Sequence, residues 1–271
     1  MEKETVFFKI TTPHYEFELQ LKERMSHYHT FYFLVGNKAK PCLEGHITLE
    51  NLSKNDRFSS FEYTANLIKI DALQECSLQD VTEEYTEKHS FGKEMVDAIL
   101  YFINSQFPLI KTISLDDASY IPCIRESSDT LDLLVYYIAL HKKTWYEDKM
   151  NAYMKPKEKY DAYRAQVDNY GKKETKAQKS WEDIYIRMMR GNNYTIEMLD
   201  AHKDEYKDIY EKSETLPEFF ILLNKSIPRK YKCRFFKDWL ESFIKEYITI
   251  ERTWYIDLFP KIEPVLDLCG F

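Results

Sequence analysis

Glycine is scarce: the 271 residues contain six, about 2% where a soluble protein averages roughly 7%. A chain this poor in glycine disfavours folds that need left-handed backbone in many turns, collagen-like repeats and glycine-rich phosphate loops. Paired cysteine motifs are also missing. The five cysteines, Cys42, Cys76, Cys123, Cys233 and Cys269, are odd in number, widely scattered and without a CxxC pair. That pattern fits small buried side chains in a reducing compartment better than a disulfide scaffold. No stretch approaches the ~20 apolar residues of a membrane helix. The start, MEKETVFFKITTPHYEF, lacks the basic patch and apolar core of a signal peptide. These features predict a cytoplasmic location with no membrane partner.

Aromatic residues are abundant, with 21 tyrosines and 17 phenylalanines, and the formal charge is −7. That charge is uneven. Residues 1–141 carry 13 basic and 22 acidic side chains, 142–179 carry 11 and 6, and 180–271 carry 14 and 17. The middle is a basic island in an acidic chain.

The first half alternates as strands do. Thr5 to Ile10, Tyr15 to Leu21, Phe31 to Val35, His46 to Leu49 and Phe61 to Ile70 are short, aromatic or β-branched, and separated by polar or proline-bearing turns. In YEFELQL, Tyr15, Phe17, Leu19 and Leu21 share one face and Glu16, Glu18 and Gln20 the other, a half-buried strand. From Lys93 the period becomes helical through KEMVDAILYFINSQF, and LIKTISL then reads as a strand. A strand, a helix opened by Gly92 and a second strand make a β-α-β unit, whose crossover places the strands parallel. A helix follows over SSDTLDLLVYYIAL, with Ser128 or Asp129 as its cap. Beyond Trp145 the pattern is helical almost throughout, with segments at Trp181 to Met189, Ile196 to Lys212, Leu216 to Asn224 and Tyr231 to Ile250. Tyr146, Tyr153 and Tyr160 recur every seven residues, which points them into a helical body. The expected organisation is α+β over residues 1–141 and all-α over 142–271.

The loop Glu87-Lys88-His89-Ser90-Phe91-Gly92-Lys93, between a strand ending near Ala72 to Cys76 and the β-α-β helix, resembles that of the GCN5-related N-acetyltransferase (GNAT) family. There the pattern is Gln/Arg-x-x-Gly-x-Gly/Ala; this chain has Glu87 at the first position, Ser90 at the first glycine and Gly92 at the last. The resemblance implies a mixed sheet with a GNAT-like β-α-β core. It also implies that backbone and side chains of Lys88, Ser90, Phe91, Gly92 and Lys93 cradle the pyrophosphate of acetyl-CoA. In such an enzyme Glu75 would be the general base and Tyr146, in a stretch Tyr146-Glu147-Asp148-Lys149-Met150-Asn151 similar to the family's Y-E-K-x-G-F, the general acid. The segments TLDLLVYYIALHKKTWYEDKMNAYM and LPEFFILLNKS, with the lysine, tyrosine and asparagine usage, further resemble proteins of large nucleocytoplasmic DNA viruses. That implies a host-cytoplasmic or virion setting and a non-enzymatic alternative, with the inherited fold as scaffold and the helical half meeting a protein partner.

The basic island supplies a third reading. Lysines 142, 143, 149, 155, 157, 159, 172, 173, 176 and 179 with Arg164 are interleaved with Trp145, Tyr153, Tyr160, Tyr163 and Tyr170, a composition able to neutralise phosphates and stack bases. The net charge of −7 opposes broad nucleic-acid affinity. His27-x-His29 is the one close histidine pair, with neither HExxH nor cysteines at zinc spacing, so no metal site is expected. Asp116-Asp117 follows the strand ISL, where strand-end carboxylates serve as bases or ligands in α/β enzymes, and where a turn or helix cap also suits them. No GxSxG, P-loop or kinase motif is present.

Overall fold

The computed structural model describes residues 2–25, 29–37, 40–51, 61–70, 91–108, 110–117, 119–123, 130–191 and 196–258. The fold is α+β, and it divides into two units, residues 1–116 with 253–271, and 117–252. The division thus falls at 116/117 and 252/253 rather than at 141/142. The helical unit is inserted between two neighbouring strands instead of following the sheet.

The first unit is a seven-stranded sheet in the order β1 (Glu2–Thr11), β2 (Glu16–Met25), β3 (His29–Asn37), β4 (Lys40–Asn51), β5 (Phe61–Ile70), β6 (Thr112–Asp116) and β9 (Thr253–Asp257). β1 to β5 form an antiparallel meander, each strand pairing with the next in sequence. The chain then crosses through α1 (Phe91–Gln106), and β6 pairs parallel with β5. β9 closes the sheet antiparallel to β6. It lies in RTWYIDL, inside the region expected to be wholly helical. Its burial alternates, with Trp254 and Ile256 inside and Thr253 and Asp257 exposed, a period of two over only five residues.

Helix α1 covers one face of this sheet. Its buried stripe Met95, Val96, Ile99, Phe102 and Ile103 faces the alternating inner residues Ile10, Phe17, Leu19, Phe33, Val35, Ile113 and Leu115. Phe8 meets Phe102 edge-on at 5.0 Å, and Phe91 packs on Tyr15 at 4.9 Å and Phe17 at 5.6 Å. Each fully buried side chain of this size contributes about 1.5–3 kcal/mol.

The second unit begins with a small hairpin, β7 (Tyr120–Pro122) against β8 (Thr130–Asp132). Asp132 accepts from the Val135 amide and caps α2 (Leu133–His141). The cap is therefore Asp132, three residues beyond Asp129; Ser128 and Asp129 lie outside the described residues. α3 (Trp145–Met150), α4 (Lys157–Tyr170), α5 (Lys173–Ala177) and α6 (Trp181–Gly191) follow. The single helix expected from 196 to 212 is two, α7 (Ile196–Ala201) and α8 (Lys203–Lys212). After α9 (Leu216–Ser226), the one expected from 231 to 250 becomes α10 (Arg229–Lys237) and α11 (Leu240–Ile244). The heptad tyrosines share no helix: Tyr146 is on α3, Tyr153 in the connection before a cis Lys155-Pro156 bond, and Tyr160 on α4. Where helices commonly end in a left-handed glycine, this glycine-poor chain uses Lys142 (φ 57°) and Asn151 (φ 53°). An aromatic cluster of Phe220, Phe235, Phe236, Trp239 and Phe243 forms the core around α9 to α11.

Cys123, just after β7, is disulfide-bonded to Cys233 on α10. Sequence spacing gave no sign of this, because 110 residues separate the two. The reading of the scattered cysteines as unlinked side chains is corrected at these two positions.

Candidate functional site

Two places carry polar groups in an arrangement that a ligand could use. The first is where α1 begins. Phe91 is a core side chain, 4% exposed, and offers nothing to a pyrophosphate beyond its backbone. Gly92 lies in the first turn. Lys93 pairs with Asp97 one turn on. Glu94 brings a carboxylate to the positive end of the helix, where it is favoured. It accepts from Thr12 Oγ1 at 2.6 Å and meets His14 Nδ1 at 2.5 Å, so it ties the β1–β2 turn to the helix. Lys88, Ser90 and Glu75 lie outside the described residues. Beside this helix, the parallel ladder pairs Ala65, Asn66 and Leu67 with Ile113, Ser114 and Leu115, while β5 runs on to Ile70. Opposite β4 the register slips so that Ile68 is an extra residue, a bulge just where the pairing with β6 stops. Among the described residues, the last three of β5 have no strand partner on the β6 side.

The second place lies wholly in the inserted unit. Antiparallel partners on the hairpin share a face, so Tyr120 and its partner Asp132, with Thr130 two residues before Asp132 on β8, look the same way. They form one wall of an open cleft of about 350 Å³ that is also lined by Ser119, Arg252 and, from α10 and α11, Lys237 and Glu241. Disulfide Cys123–Cys233 ties the hairpin to α10. Arg252 donates to the Asp117 carbonyl oxygen at 2.8 Å and to Asp132 at 2.5 Å. Asp117, 1% exposed, accepts from the amide and hydroxyl of Ser119 through Oδ1, while its Oδ2 is buried without a partner. Burial raises its pKa to about 6, against the opposing hydrogen bonds from Ser119.

Tyr146 is buried beside this group. Its phenol is driven far above its ordinary value by burial, then by the charge of Asp117, with Ser119 hydrogen bonding in the opposite sense. A phenol held so firmly in its neutral form is a poor proton donor to a leaving thiolate. Tyr146 belongs to the second unit, and Phe91, Gly92 and Lys93 to the first. Its neighbour Glu147 is a structural hub: it accepts from the Thr144 amide (2.7 Å), Tyr163 (2.9 Å), Tyr160 (3.1 Å) and Arg164 (3.3 Å). The similarity of that stretch to a catalytic motif thus coincides with a capping box at the start of α3.

The basic island is largely engaged. Lys157 pairs with Asp161, Lys159 with Glu251, Lys173 with Glu214 and Lys179 with Glu246, at 2.5 to 3.1 Å. Lys176 lies over the Tyr210 ring at 4.2 Å. Sequence distance hid these acids, three of which come from connections 41 to 92 residues away. Among the described residues there is no cluster of three potential metal ligands and no helix long and apolar enough to cross a membrane. No family model, curated protein or solved structure matches the chain.

Proposed function

We propose that the first unit is an acetyltransferase-like scaffold that binds an acyl-CoA-type ligand at the carboxyl ends of β5 and β6, without Tyr146 as its acid. The observation that carries this reading is the β5–α1–β6 crossover whose parallel pairing ends at Leu67 and Leu115 while β5 continues to Ile70. A slot at the carboxyl end of parallel strands, beside a helix N-terminus, is where α/β sheets receive ligands. The extra residue at Ile68, in the ladder with β4, bends β5 at the point where its pairing with β6 stops. Acetyl-CoA would then rely on main-chain donors and on Lys88, Ser90, Gly92 and Lys93.

Glu94 favours the other reading, a non-enzymatic interaction or virion protein. Its carboxylate already occupies the positive end of α1 and would repel a pyrophosphate. Nucleic-acid binding through 142–179 has less support still, because most of that charge is matched by acids of the same unit. Thermal unfolding with acetyl-CoA separates the first two. A ligand specific to the native state raises the midpoint as its concentration rises. A midpoint unchanged at millimolar acetyl-CoA leaves the scaffold reading.

A further inference from the structure

The cleft in the inserted unit has a chemistry that the acyl-CoA reading does not use. Its wall from β7 carries Tyr120, 54% exposed and the most exposed of the described aromatic rings. Most tyrosines of this unit are packed on other rings or hydrogen-bonded to acids; Tyr120 has neither kind of partner among the described residues. A solvated ring at the lip of a cleft offers a flat apolar face beside polar groups. The charged lining is balanced: Lys237 and Arg252 face Asp132 and Glu241. Both acids have a cation at hand, Asp132 having Arg252 at 2.5 Å and Glu241 having Lys245 at 2.6 Å. Arg252 uses two of its five N–H donors in bonds within the protein. Ser119 and Thr130 add hydroxyls.

A net anion would meet three carboxylates around Arg252, those of Asp132, Asp117 and Glu241, and a net cation would meet Arg252 and Lys237. A neutral ligand with many hydroxyls meets neither objection. Each hydroxyl both donates and accepts, so it can bridge an acidic acceptor and a basic donor that lie side by side, while the C–H face of its ring rests on an aromatic plane. We propose that this cleft binds a neutral saccharide of one or two sugar units, with Tyr120 as the stacking platform and Asp132 and Arg252 as the main polar contacts. A volume of about 350 Å³ is at the lower end for small-molecule sites and suits that size.

Ligand-observed NMR titration of the full chain with glucose, galactose, mannose, N-acetylglucosamine, maltose and lactose tests the proposal, with inorganic phosphate as an anionic control and glycine as a zwitterionic one. The expected result is saturable binding of at least one neutral sugar, weakened roughly tenfold or more by Tyr120→Ala. Thr130→Val, a second substitution on the same wall, weakens it as well, and Tyr32→Ala on the first unit leaves it unchanged. No neutral sugar binding at tens of millimolar, binding of phosphate or glycine alone, or sugar binding indifferent to Tyr120→Ala would each overturn it. Because none of these readouts involves acetyl-CoA, the outcome is independent of the function proposed for the sheet.

Discussion

Asp117 and Glu147 are both buried carboxylates, and their surroundings give them opposite roles. Asp117 has one satisfied oxygen and one orphan, and burial lifts it to about 6 from 3.8. The folded chain therefore holds that proton more tightly than the unfolded one. The group's contribution is full below about pH 4 and is lost as pH rises through about 6. Asp117→Asn stays neutral, so its stability relative to the parent should climb between pH 4 and 7, by as much as roughly 3 kcal/mol for a two-unit shift. Urea unfolding at several pH values measures this; parallel pH profiles would contradict it. Glu147 has its acceptor capacity filled by four donors. Glu147→Ala leaves buried hydroxyls and a helix cap without partners, and a loss of about 2–4 kcal/mol is expected in the same assay. The sequence displayed both residues inside suggestive motifs, Asp116-Asp117 and Tyr-Glu-Asp-Lys. What it did not display was their partners: an orphan oxygen on buried Asp117 and four donors on buried Glu147 set the one apart as a group raised to about 6 and the other as the anchor of a helix.

Elements with a strong repeat were legible and short or distant ones were not. The strands of the meander and α1 follow from alternation and helical spacing over nine or more residues, and the parallel crossover from the order strand, helix, strand. β9 and β8, of five and three residues, are too short for periodicity to separate from flanking helices. The pairing of β9 also depends on β6, a partner more than a hundred residues back along the chain. The same is true of Cys123–Cys233, which ties the hairpin to α10. Cys123→Ser with Cys233→Ser should lower stability by about 2–4 kcal/mol, through a looser unfolded chain and a less constrained hairpin. Thermal unfolding with and without reductant reads this directly: the parent should shift down on reduction and the double variant should not respond.

At the scale of the molecule, the turn to helical spacing beyond Trp145 suggests a boundary at 141/142, yet the units meet at 116/117 and 252/253. Local periodicity follows the elements in chain order, whereas the boundary follows strand pairing: Asp116 is opposite Thr253 in adjacent antiparallel strands. An insertion at such a point needs little of the host sheet. Replacing 117–252 by a two-residue turn such as Asn-Gly should leave a folded sheet unit, because that is the connection neighbouring antiparallel strands accept. Far-UV circular dichroism and a cooperative melt would show it; a molten or unfolded product would contradict the division.

The acyl-CoA reading concerns the sheet unit alone, and amide NMR on the full chain with added acetyl-CoA tests it most directly. The account predicts saturable shifts at the ends of β5 and β6 and over the first turn of α1, around residues 66–70, 91–95 and 114–116. Spectra that do not change at millimolar acetyl-CoA, or changes confined to residues 117–252, would contradict it.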